Sequence, residues 1–203
     1  MRQSRLRSWQ RGGAPKAMGA LRMGLAESEL KPIVDAWRAA NPHIVQLWAD
    51  INAAAIKTIS TRQPTKVGSL TFTVESGILF ITLPSGRRLA YVQPRLGENR
   101  FGGTSILYQG VTTGRKWGCL ETYGGKLVEN IVQAIARDLL VHSMCQVTQA
   151  EYRIVMHVHD EIIIETPNGT VDEVCDLMSH TPPWAEGLPL DADGFECSFY
   201  RKD

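Results

Sequence analysis

His159, Asp160 and Glu161 stand side by side in the stretch "IVMHVHDEIIIETP", residues 154–167, surrounded by Ile and Val. Burying neighbouring carboxylates among β-branched residues is costly unless a cation, a metal ion or solvent compensates. Residues 152–158 and 162–166 read as paired strands, which places the three titratable side chains at the turn between them. A turn projects adjacent carboxylates outward, where a divalent cation can be held. Mg²⁺ favours one or two carboxylates together with water and substrate phosphates. An acidic surface turn without a ligand accounts for the same residues. A third reading takes His157, His159 and Asp160 as a zinc- or iron-type site, with His142 and His180 too far along the chain to add an obvious third histidine.

The segment before this turn carries a second pattern. In "YGGKLVENIVQAIARDLLVHSMCQV", Lys126, Asn130, Gln133 and Arg137 recur at steps of four, three and four and share one helix face. The face is either solvated or nucleic-acid-reading, with Lys and Arg on phosphates and amides on base edges or sugars. A DNA-tracking helix beside a metal-binding turn is the combination that nucleotidyl transfer requires.

These residues need elements to hold them. "ESELKPIVDAWRAA" and "NPHIVQLWADINAAAIKTI" place apolar residues at helical spacing, the second with a stripe of Ile44, Leu47, Trp48, Ile51, Ala55 and Ile59; with Asn41 as N-cap and Pro42 at the first helical position, they predict a helical hairpin. From residue 66 to 118 the texture becomes β-branched, broken at Ser76-Gly77 and Pro84-Ser85-Gly86, and predicts a small antiparallel sheet. A long helix from about Lys126, with Val128, Val132, Ile135 and Leu139 as its apolar stripe, follows, then the acidic hairpin, a short helix over "TVDEVCDLMSH" and an irregular tail with a last short strand. The fold class expected is α+β: helical hairpin, β-rich insertion, then a long helix packed on an antiparallel hairpin. The parts are a basic segment 1–22, a helical part 23–65, the insertion 66–118 and the remainder 119–203.

Composition narrows the class of molecule. With 43% hydrophobic and 21% charged residues, 203 residues can bury a real core, and a net charge of +1 supplies no whole-chain attraction for nucleic acid. The charge is local instead: Arg2, Arg5, Arg7, Arg11, Lys16 and Arg22 precede the first acid, Glu27. The four cysteines are scattered without a CxxC pair, which suits reduced thiols in a cytosolic setting. No apolar run approaches the roughly 20 residues of a membrane span. No P-loop, GxSxG or dinucleotide fingerprint is present.

"VHDE" between apolar strands resembles motif C of family A (DNA polymerase I-like) polymerases. "TYGGKLVENIVQAIARDLL" is similar to the helix preceding motif C in phage-type members. "AMGALRMGLAESELKPIVDAWRAANPHIVQLW" and "GLPLDADGFECSFYRKD" also resemble that branch, so the likeness runs from about Lys16 to Asp203. The resemblance implies a palm-like part over 119–203, a distal-fingers-like part over 23–65, and two Mg²⁺ ions held by one carboxylate from motif A and one from motif C. Residue by residue, Asp160 matches the metal-ligating acid, Glu161 the second acid, and His159 the residue beside the primer terminus. Gln133, Asn130 and Lys126 match the helix that follows the primer–template duplex. Arg137 joins them by periodicity.

Motif A, a D-Y-S-x-x-E-like run, and the motif B helix with its Arg, Lys and Tyr do not occur in the sequence. Trp9, Gln10 and the glycines at 12 and 13 stand where the end of motif B would lie. The resemblance therefore implies the C-terminal third or so of a polymerase, inactive alone. Its implied partners are primer–template DNA, dNTPs and the missing N-terminal part, in a bacterial or phage-infected cytoplasm. A non-catalytic DNA-binding or accessory fragment is the alternative.

Overall fold

The computed structural model describes Arg22, residues 24–98 and residues 102–200. The basic segment 1–22, Arg22 apart, lies outside the described residues, as do Trp9, Gln10 and the two glycines after them. The architecture is α+β, and the chain divides into two compact units. One takes the residues up to Leu83 and Arg88–Ile131, the other Pro84–Arg87 and the residues from Val132 onward.

In the first unit the apolar spacing forms α1 (Glu27–Ala40) and α2 (Pro42–Thr61). Pro42 opens α2, where its missing N–H leaves no partner unsatisfied. Asn41 does not cap α2 with its side chain as expected. Its amide donates to the Trp37 carbonyl at 2.8 Å and satisfies an orphan acceptor at the end of α1 instead. Trp37 and Trp48 stack with ring centroids 5.8 Å apart, which fixes the helical hairpin. The buried face of α2 is Ile51, Ala54, Ala55, Thr58 and Ile59, while Ile44 and Leu47 on the predicted stripe stay exposed.

A six-stranded antiparallel meander follows in chain order: β1 (Thr65–Val67), β2 (Leu70–Glu75), β3 (Ile78–Thr82), β4 (Arg88–Glu98), β5 (Thr104–Val111) and β6 (Trp117–Thr122). Ser76 and Gly77 both take positive φ, 49° and 77°, as a two-residue hairpin turn requires. Alternation puts Phe72, Leu79, Ile81 and Tyr91 on one face, all buried. Thr58 is buried and satisfied, its hydroxyl 2.6 Å from that of Thr65, which in turn donates to the Ala54 carbonyl at 3.1 Å.

Helix α3 (Gly124–Gln149) starts two residues before the sequence predicts. Gly124 explains the difference: its N–H donates to Asn52 Oδ1 at 3.0 Å, and a Cβ there would overlap the Trp48 carbonyl oxygen. Only glycine lets the start of α3 seat on the backbone of α2. Of the predicted apolar stripe, Val128 is buried but Val132 is exposed; the buried apolar side chains of the first two turns are Leu127, Val128 and Ile131.

The second unit contains the rest of α3, the hairpin β7 (Arg153–Val158) and β8 (Glu161–Glu165), and α4 (Val171–Met178). Thr170 and Glu173 form the capping box of α4. Ser143 donates to the Met178 carbonyl at 3.0 Å, tying α3 to the end of α4. Among the described residues the tail holds a single 3₁₀ turn, Pro183–Ala185, and not the short strand expected there. Pro84–Arg87, the turn between β3 and β4, also belongs to this unit. Ser85 Oγ and Arg87 Nε each meet a carboxylate oxygen of Asp138 at 2.5 Å, and Arg87 donates to the Ala134 carbonyl at 2.6 Å.

Candidate functional site

The β7–β8 ladder closes on a two-residue turn, His159-Asp160, flanked by the Val158–Glu161 pair. His159 takes φ 54°, the left-handed region that a non-glycine residue occupies at a cost. A ladder irregularity between Ile154 and Met156 shifts the register, so His157 pairs with Ile162. His157, His159, Asp160 and Glu161 are all exposed. The energetic problem posed by the acids is thus resolved by solvent at a hairpin tip.

Neither the Asp160 nor the Glu161 carboxylate makes an ion pair or accepts a hydrogen bond from another described residue. Both carboxylates therefore keep their full capacity to bind a cation. The residues present fit the carboxylate share of a Mg²⁺ site, to which further oxygen ligands must be brought. No group of three or more His, Cys, Asp or Glu side chains among the described residues is placed to hold a metal ion. That geometry does not fit a self-contained centre of His157, His159 and Asp160.

The structure treats the polar residues of α3 unequally. In the first unit Lys126 is largely buried and paired with Glu129 at 2.7 Å. Asn130 is half-buried and donates to the Tyr91 hydroxyl at 3.0 Å. In the second unit Gln133 and Arg137 are exposed, and the Arg137 guanidinium approaches Nε2 of His157 at 3.5 Å. Arg137 thus stands beside the acidic hairpin, a juxtaposition that sequence periodicity did not reveal. Sequence reasoning also missed Ser85, Arg87 and Asp138. The signal available was the Pro-Ser-Gly-Arg turn, whose partner lies 51 residues from Arg87.

No family model matches this sequence, and no solved structure matches it. Among curated proteins it is 53% identical over 195 residues to the "DNA polymerase" of Bacillus phage SP02. The match covers 94% of this chain, which spans about 30% of the length of that relative. No helix among the described residues is long and apolar enough to cross a membrane. Nearly the whole chain is therefore similar to one part of a phage DNA polymerase.

Proposed function

We propose that this chain is the motif C-bearing part of a family A DNA-directed DNA polymerase. The observation that carries the reading is the exposed, unpaired Asp160-Glu161 turn in a chain 53% identical to a phage protein named DNA polymerase. Asp160 supplies a metal-binding carboxylate and Glu161 a secondary one. His159, held at the tip by its left-handed backbone, stands beside the primer terminus. Gln133 and Arg137 face the primer–template duplex, Arg137 toward phosphate. Lys126 and Asn130 are the less direct contacts, since each already has a partner inside the fold. Asp160 would hold Mg²⁺, which would supply Lewis-acid activation of the primer 3′-hydroxyl and charge neutralisation at the triphosphate of the incoming dNTP. The second carboxylate of that site comes from a polypeptide carrying motif A.

The test is primer extension by this chain with Mg²⁺ and a polypeptide supplying motif A, with Asp160→Asn as the comparison. Extension that falls by about 100-fold or more in Asp160→Asn is the expected result, by analogy with the loss of one preorganised electrostatic group. Extension unchanged in Asp160→Asn refutes the role of the turn. Complementation that yields neither extension nor duplex binding refutes the polymerase reading.

A further inference from the structure

The meander carries a second surface, remote in sequence from the acidic hairpin. Strands β5 and β6 end in the turn Thr112–Lys116, and Val111 pairs directly with Trp117 across it. Both are large apolar side chains left in solvent, Val111 62% and Trp117 64% exposed. Adjacent to each other, they form a contiguous apolar patch of the kind that marks a contact surface. The next pair on the same face is Gln109 with Cys119. A register shift between Val92 and Arg95 brings Arg95 opposite Leu107, on that face as well. The Arg95 guanidinium lies 3.3 Å from Cys119 Sγ, one same-face step, about 7 Å, along β6 from Trp117.

Two more cations, Arg115 and Lys116, are exposed at the turn, and neither pairs with a carboxylate among the described residues. The acid on this face, Glu121, accepts from the Ser105 hydroxyl at 2.7 Å. The opposite face is the packed one, with Ile106 buried and Tyr108 edge-on to Tyr91 at 5.1 Å. The outer face thus presents an exposed indole, the Gln109 amide, Arg95 and the Glu121 carboxylate, and Arg115 and Lys116 stand at the turn that borders it.

We infer that this outer face of β4–β6 binds single-stranded DNA. A base stacks on Trp117 while Arg95, Arg115 and Lys116 take the flanking phosphates. Stacking on aromatic side chains combined with a cationic track is how sequence-independent single-strand binding is built. A protein partner would use the apolar pair but gives no reason for Arg115 and Lys116 to stand beside it without a carboxylate partner among the described residues. The inference goes beyond the proposed polymerase reaction and does not depend on Asp160.

The experiment measures binding of a labelled oligo-thymidylate to the full chain by fluorescence anisotropy, without metal or dNTP. Failure here leaves the extension result standing, and the reverse holds too. Trp117→Ala should weaken binding about tenfold, and Trp117→Phe should retain most of it. Arg115→Ser with Lys116→Ser should flatten the slope of log affinity against log salt by about 1.4, two phosphates at ~0.7 each. Equal affinity in Trp117→Ala and the parent, or an unchanged salt slope in the double variant, would overturn the inference. Tighter binding of oligo-uridylate than of oligo-thymidylate would overturn its assignment to DNA.

Discussion

Gly124→Ala is the sharpest test of how α3 is seated. In a free helix the change is favourable by up to about 1 kcal/mol, because alanine loses less backbone freedom. Here the new Cβ would overlap the Trp48 carbonyl oxygen and stand 2.9 Å from the Asn52 Cβ. Overpacking costs about 1–3 kcal/mol, and the upper end applies because backbone atoms cannot turn aside as a side-chain tip can. Any shift that relieves the overlap also lengthens the 3.0 Å bond from Gly124 N–H to Asn52, worth about 1 kcal/mol. The net expectation is a loss of about 2–3 kcal/mol. With a urea m-value near ~2 kcal/mol/M, the unfolding midpoint should fall by roughly 1 M. Gly125→Ala is the built-in comparison, since its Cβ would meet the Tyr123 ring at 3.2 Å and the Trp48 ring at 3.8 Å, both side chains. That variant should stay within about 0.5 kcal/mol of the parent. A Gly124→Ala midpoint at or above the parent's, or equal losses in both variants, would refute the reasoning.

Two further substitutions probe the hydrogen-bonded partners of α3. Burial pushes the Tyr91 hydroxyl up to about 12, opposed by the hydrogen bond from Asn130. The protonated form is favoured in the fold, so this stabilisation is whole below the ordinary tyrosine value near ~10 and is lost as pH rises toward ~12. Urea midpoints across that window should show a loss of about 2–3 kcal/mol in the parent that Tyr91→Phe removes. Arg87→Ala should cost about 1–2 kcal/mol, because it strips the Asp138 carboxylate, 11% exposed, of its cation. The estimate is lowered for the 44% exposure of Arg87. A double-mutant cycle with Asp138→Ala, read by thermal melting, should show the two losses to be far from additive.

Elements governed by local rules were legible before any coordinates. Pro42 marks the start of α2, Ser76-Gly77 marks a hairpin, and the alternation around 70–82 gives the buried face of Phe72, Leu79 and Ile81. The acidic turn was legible for the same reason, since a two-residue break between β-branched runs admits few geometries. What failed was knowledge of partners. Periodicity placed Ile44 and Leu47 on the stripe of Ile51 but cannot say how far along α2 the covering surface reaches. Asn41 has N-cap chemistry, yet its amide finds the Trp37 carbonyl one turn behind it. Lys126 and Asn130 share a helical face with Gln133 and Arg137, but Tyr91, 39 residues away from Asn130, claims that amide. Contacts of this span depend on how the chain returns, which no short window records.

The short turn Pro84–Arg87 decides how this chain can be rearranged. It links β3 to β4, yet its side chains hold Asp138 and the Ala134 carbonyl of α3. Cutting out β1–β6 as a cassette would leave a nearly buried carboxylate on α3 without its counter-charge. A transplant would have to carry Ser85 and Arg87 along with Asp138, and a deletion would have to replace Asp138 with an uncharged residue at the same stroke.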